Sequence, residues 1–225
     1  MNKLLSVLIA MVASMPVAQA QDAAQGEKKA AMCIGCHGIP GYQASFPEVH
    51  KVPMIAGQNA KYIAAALTAY RKGERKHPTM RAIATTLTDK DIADLSAHYE
   101  QQGRPAGTAL TTVATTAPAT PAAASGTAPA AAAEVLKAGN CVSCHGANFN
   151  QPIDPSYPKL AGQHADYLYV SLKAYQTEGN PHVGRANAIM SGMVKPFNHA
   201  QLKAVAAYIA SQPGELKTVE QSHFR

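Results

Sequence analysis

Two segments, CIGCHG at residues 33–38 and CVSCHG at residues 141–146, set two thiols, an imidazole and a glycine at the same spacing in the two halves of one chain. This doubling constrains the fold, because whatever local structure presents Cys33, Cys36 and His37 must be built again around Cys141, Cys144 and His145. Three chemistries use such a triplet: a disulfide, a zinc centre, or covalent attachment of haem.

The amino terminus narrows the choice. Lys3 supplies a short positive start, LLSVLIAMV at residues 4–12 is an apolar run, and Ala18-Gln19-Ala20 is a small-residue cleavage signal. The pattern predicts a secretory signal peptide over residues 1–20, cut after Ala20. The run is shorter than the roughly 20 apolar residues that span a bilayer, and no later stretch is a better candidate. The mature chain is therefore expected in an oxidising, periplasmic compartment, without a transmembrane segment.

There, four cysteines would by default form two disulfides, which leaves the histidine and glycine after each pair unexplained. Thioredoxin-like Cys-x-x-Cys sites belong to alternating strand and helix patterns, and nothing in this sequence reads as a sheet. Structural zinc needs four closed ligands, yet the two pairs lie more than a hundred residues apart. Cys-x-x-Cys-His is the attachment signature of c-type haem. On a helix, residues three and four apart share a face, so Cys33 and Cys36 can reach the two vinyl groups of one porphyrin while His37 turns a ring nitrogen to the iron. Cys141, Cys144 and His145 repeat the arrangement, and two covalently bound haem c groups are expected.

The repeat extends beyond the motifs. Residues 52–73 align without a gap with residues 157–178, pairing Pro53 with Pro158, Gly57 with Gly162, Gln58 with Gln163, Tyr62 with Tyr167 and Tyr70 with Tyr175. The stretches beginning at Met80 and Met190 match in length and apolar spacing. Helical periodicity runs through residues 62–71 and 167–176, and Thr88 and Asn198 are placed as N-caps of helices ended by Gly103 and by Pro213-Gly214. The expected fold is all-α, with domains over residues 21–105 and 134–225. The Ala/Thr/Pro-rich segment 106–133 carries no charge and no aromatic residue, and reads as a flexible tether. Each copy is small enough that a buried haem would supply core volume.

At these residues the chain resembles the dihaem cytochromes c of the cytochrome c4 type, exported electron carriers with two class I cytochrome c domains. The resemblance rests on the two Cys-x-x-Cys-His segments, on PMIAGQ and PKLAGQ, and on MRAIATTLTDKDIADL and MSGMVKPFNHAQLKAV. It implies His and Met as axial ligands, His37 with Met80 and His145 with Met190, and loop carbonyls at Pro53 and Pro158 that orient the histidines. The family joins its domains by a short connection and packs them haem edge to haem edge. The longer tether here, with a random-coil span of roughly 30 Å, implies domains able to separate.

Met80 and Met190 both stand seven residues before a large apolar residue, Leu87 and Phe197. Met193 lies three residues beyond Met190 and could share its helical face, although it aligns with the apolar Ile83 and so reads as core. His77 and His182 correspond when counted forward from the AGQ segments and read first as surface histidines in a loop, second as rival ligands; the remaining histidines, at 50, 98, 164, 199 and 223, read as solvent-facing.

The full chain has 20 basic and 14 acidic residues, and without Lys3 the balance is 19 minus 14, or +5. Four haem propionates would bring that near neutrality, so basicity does not point to nucleic acid. Arg71, Lys72, Arg75, Lys76 and Arg81 cluster near Met80, as a solvated helix end or a surface that steers acidic redox partners. The expected function is one-electron transfer between a membrane-bound or periplasmic dehydrogenase, or a quinol-oxidising complex, and a terminal oxidase or reductase. No catalytic residue is expected, and peripheral membrane association is compatible with this role. The alternatives are a dihaem enzyme of peroxidase or thiosulfate dehydrogenase type, or a cytochrome subunit of a larger oxidoreductase.

Overall fold

The computed structural model describes residues 21–102 and 126–220; the expected signal peptide, residues 106–125 of the tether and His223 lie outside the described residues. The first half contains helices α1 (Ala23–Lys29), α2 (Ala31–His37), α3 (Ala60–Lys72), α4 (Pro78–Thr85) and α5 (Asp89–Gln102). The second contains α6 (Ala130–Ala138), α7 (Cys141–His145), α8 (Ala165–Gln176), α9 (Ala188–Val194) and α10 (His199–Ser211). The strands are two residues each: β1 (Gln43–Ala44), β2 (His50–Lys51), β3 (Arg75–Lys76) and β4 (Gly184–Arg185). The architecture is thus all-α and duplicated. Helix α6 begins at Ala130, so the last four residues of the expected tether form a first helical turn.

The caps act where side-chain chemistry places them. Thr88 Oγ1 accepts from the Asp91 N–H at 3.1 Å while the Asp91 carboxylate accepts from the Thr88 N–H at 2.9 Å, and Asn198 with Gln201 forms the same reciprocal box on α10. In the first domain α1 crosses α5 so closely that a Cβ on Gly26 would sit 2.1 Å from the Asp94 carbonyl oxygen. In the second, buried Ala132 and Val135 carry α6 against α10.

The α1–α5 crossing is held by Asp94, whose fully buried carboxylate accepts from Lys29 Nζ at 2.8 Å, Lys90 Nζ at 3.0 Å and the Asp22 N–H at 3.1 Å. Burial works to raise its pKa, but Lys29, Lys90 and the Asp22 N–H hold it down to about 2. A carboxylate depressed in the folded state adds stability above its ordinary pKa, about 4, and that stability is lost as pH falls from there through about 2. Asp94→Asn is expected to lower stability by about 2 kcal/mol at neutral pH, with the difference between variant and parent vanishing near pH 2. Thermal unfolding of the holoprotein across that range checks both the loss and its sign.

The two domains pack against each other through reciprocal contacts, although the tether is long enough to let them separate. Strand β3 pairs antiparallel with β4, setting Arg75 opposite Arg185. Buried Gln58 bonds the backbone of Lys159, and buried Gln163 bonds the backbone of Met54. Both glutamines emerge from matching turns, closed by Gln58 N–H to Ile55 O and Gln163 N–H to Leu160 O, in which Gly57 and Gly162 take the positive φ angles of 85° and 73°. Glu48 with Lys173 and the Lys51 N–H with Asp166 add further cross-domain contacts. A tether limits only how far the domains can part; the pairing of buried polar groups decides whether they dock.

Candidate functional site

Helix α2 sets Cys33, Cys36 and His37 along the wall of a cavity of about 370 Å³, lined further by Ile55, Ile63, Leu67 and Leu95 and by Met80 from α4. That volume falls within the usual range of ligand pockets. His37 Nδ1 lies 2.9 Å from the Pro53 carbonyl oxygen. A carbonyl only accepts, so the ring proton sits on Nδ1 and the Nε2 lone pair is left to bind a metal. Burial, reinforced by the charge of Arg75, lowers the pKa of His37, which favours this neutral form. Burial also pushes the Cys33 thiol up.

The second domain repeats the construction on α7. His145 is buried, its Nδ1 3.3 Å from the Pro158 carbonyl oxygen, and Cys141 and Met190 pack against one apolar core that includes Phe149 and Leu168. All four cysteines are half-buried and free.

The two methionines occupy one structural register. His77 caps α4 by accepting from the Met80 N–H at 3.4 Å, and Asn187 caps α9 by accepting from the Met190 N–H at 2.9 Å. The counterpart of His77 is therefore Asn187 and not His182, which is exposed. Met193 is 43% exposed, so it does not fill the core position that alignment with Ile83 implied. The local patterns HPTM and NAIM, each a cap three residues before Met, are the signal that would have aligned these helices.

Two other sequence expectations change. His50 is 5% exposed and stacks on Tyr167 of the other domain, so it belongs to the interface and not to the solvent. The basic cluster near Met80 is dispersed: Arg75 is buried between the domains, Lys76 Nζ reaches the Asn180 carbonyl, and Arg71 binds the Leu87 carbonyl and Asp89. Arg75 donates to the hydroxyls of Tyr62 and Tyr167, while Arg185 donates to those of Tyr167 and Ser171. Burial opposes ionisation of the Tyr167 phenol, yet the two guanidiniums outweigh it and bring the pKa down to about 7. Arg185 is a partner of this cluster that the sequence signals weakly: Arg75 and Arg185 each precede the candidate methionine by five residues.

Arg75 Nε is buried and has no hydrogen-bond partner. A haem brings two carboxylates and a flat apolar body, so an apolar cavity with paired thiols, a neutral imidazole and a buried guanidinium whose Nε–H lacks a partner fits that group.

Comparison with known proteins agrees with this construction. The profile of the family described as Cytochrome c matches residues 23–102 and 129–213. A cytochrome c4 of Pseudomonas aeruginosa is 29% identical, with 93% of this chain and 98% of that protein aligned. A thiosulfate dehydrogenase electron acceptor of Stutzerimonas stutzeri is 29% identical over 90% of this chain and 93% of its own. The solved structure of Acidithiobacillus ferrooxidans cytochrome c4 superposes with a TM-score of 0.55 at 28% identity, covering 81% of this chain and 99% of that one.

Proposed function

Because the chain belongs to the cytochrome c family, as a dihaem cytochrome of the c4 group carrying two covalently bound haem c groups, we propose that it is a periplasmic one-electron carrier. It takes electrons from a dehydrogenase or quinol-oxidising complex and delivers them to a terminal oxidase or reductase. In this reading Cys33 and Cys36 hold one haem and Cys141 and Cys144 the other. His37 with Met80 and His145 with Met190 would hold the two irons. The observation that carries the reading is the matched placement of Met80 and Met190, each third in a helix whose cap side chain accepts from the methionine's own N–H. With those four side chains as ligands neither iron would be open to substrate, and the chain's other residues would serve to exclude water and hold the ligands in place. Among the described residues no helix is long and apolar enough to cross a membrane.

Denaturing mass spectrometry is expected to find two haems still bound, and the resting protein is expected to be low-spin at both irons. A bare polypeptide mass would remove the cofactor assignment; high-spin haem at rest, or turnover with peroxide, would favour an enzyme.

A more specific reading of the donor draws on the relative named a thiosulfate dehydrogenase electron acceptor. The donor would then be a thiosulfate-oxidising dehydrogenase. Thiosulfate together with such an enzyme should reduce the chain rapidly, while thiosulfate alone should not. Turnover by the chain alone would instead make it the dehydrogenase.

A further inference from the structure

We propose that Gln58 and Gln163 are crossed positioning residues, each setting the basicity of the candidate axial histidine in the other domain and, through it, that domain's iron potential. The inference rests on the reading of His37 and His145 as iron ligands. Its structural basis is a hydrogen-bonded chain that crosses the interface twice.

His37 Nδ1–H donates to the Pro53 carbonyl at 2.9 Å. That carbonyl belongs to the same peptide unit as the Met54 N–H, which donates to Gln163 Oε1 at 3.1 Å, and Gln163 Nε2 donates back to the Met54 carbonyl at 2.9 Å. The reciprocal chain runs from His145 Nδ1 to the Pro158 carbonyl at 3.3 Å, and from the Lys159 N–H of that peptide unit to Gln58 Oε1 at 2.9 Å. Gln58 Nε2 donates to the Lys159 carbonyl at 3.0 Å. Each carboxamide oxygen accepts a second N–H from its own domain, Asn59 to Gln58 and His164 to Gln163, both at 3.0 Å. The orientation of both amides follows, since a flip would set donors against donors.

An acceptor on the peptide N–H polarises the amide and leaves more negative charge on its carbonyl oxygen, which makes that carbonyl a better acceptor, because successive hydrogen bonds polarise one another. A better acceptor at Nδ1 gives the imidazole more imidazolate character, and a more basic ligand favours the ferric iron and lowers its potential. Gln163 is therefore expected to lower the potential of the haem beside His37, and Gln58 that of the haem beside His145. Both side chains are almost fully buried, at 4% for Gln58 and 3% for Gln163, so water does not take their place. The shorter His37–Pro53 bond makes the effect of Gln163 the larger of the two.

Interface glue is the competing explanation, and a crossed experiment separates the two. Gln163→Met and Gln58→Met keep the side-chain length and remove the hydrogen bonds. Asn59→Ala removes a contact of the same interface, Asn59 Nδ2 to the Tyr157 carbonyl at 3.1 Å, while leaving both chains intact. Redox titrations of the holoproteins, followed through the haem-methyl NMR signals of each domain, should show Gln163→Met raising only the midpoint of the His37 haem. Gln58→Met should raise only that of the His145 haem, by less, and Asn59→Ala should move neither. The proposal is overturned if both midpoints move together, if a variant shifts its own domain's haem, if neither moves, or if Asn59→Ala reproduces the shifts. In the unsubstituted holoprotein the Met54 and Lys159 amide protons should be strongly protected from exchange, and free-loop exchange there overturns the proposal even if a variant does not fold. Failure of the ligand reading is distinguishable beforehand, as the absence of low-spin His–Met haem in the unsubstituted protein.

Discussion

Met190→Ala is expected to abolish the sulfur-to-iron charge-transfer band of one haem and to lower that haem's potential, whereas Met193→Ala leaves both unchanged. A thioether ligand raises the potential relative to nitrogen or oxygen donors. Axial ligation spans about 0.8 V in haem proteins, so loss of the sulfur is expected to cost on the order of 0.1 V or more. The choice between the two methionines comes from the helix that carries them. Asn187 caps α9 through the Met190 N–H as His77 caps α4 through the Met80 N–H, which puts Met190 in the register of Met80. Met190 packs against the core that also receives Cys141, while Met193 is 43% exposed. Met80→Ala should act on the other haem in the same way. If Met193→Ala removes the band and Met190→Ala does not, the register of α9 is wrong by one turn. If neither does, the ligand lies outside this helix.

The parts of the molecule legible in the sequence are those written in local chemistry. Thr88 and Asn198 announced their helices because a hydroxyl or carboxamide before an apolar run satisfies the same orphan N–H groups wherever it occurs. The doubled Cys-x-x-Cys-His announced two sites because the thiols and the imidazole must be neighbours in the chain to serve one porphyrin. The docking of the domains was not legible, because it depends on residues from opposite halves meeting: Gln58 with Lys159, Gln163 with Met54, Arg75 with Arg185. A tether of twenty-odd residues gives no hint of this, since closing a long loop costs little more than closing a short one. His50 and Arg75 were misread for that reason. A polar residue in a loop reads as solvated until the partner domain that buries it is known. His77 was misassigned by counting along the chain, because the loops before α4 and α9 differ in length, and only the caps restore the register.

The same comparison of the two halves leads to an unequal response to haem loss. Cys33→Ala with Cys36→Ala is expected to yield a protein with one haem and an unfolded first domain, while Cys141→Ala with Cys144→Ala leaves a second domain that stays largely helical. The first domain buries a modest cluster, Ala30, Ile63, Leu87, Ile92, Leu95 and Tyr99, around a cavity of about 370 Å³. Leaving that cavity unfilled strips this small cluster of packing partners, against a whole-domain stability of only roughly 5–15 kcal/mol. The second domain has a larger cluster of its own, with Phe149, Phe197, Leu202, Val205 and Ile209 buried together and Gln176 Nε2 binding the Val194 and Phe197 carbonyls, both at 2.7 Å. Limited proteolysis should therefore degrade residues 21–102 of the first variant while sparing its second domain, with a large loss of helical circular dichroism. The second variant should retain most of that signal. Equal losses in the two variants would mean that the interface, and not each domain's own core, carries the stability: once one side of the Gln58–Lys159 and Gln163–Met54 pairing unfolds, the buried amides on the other side are left without partners.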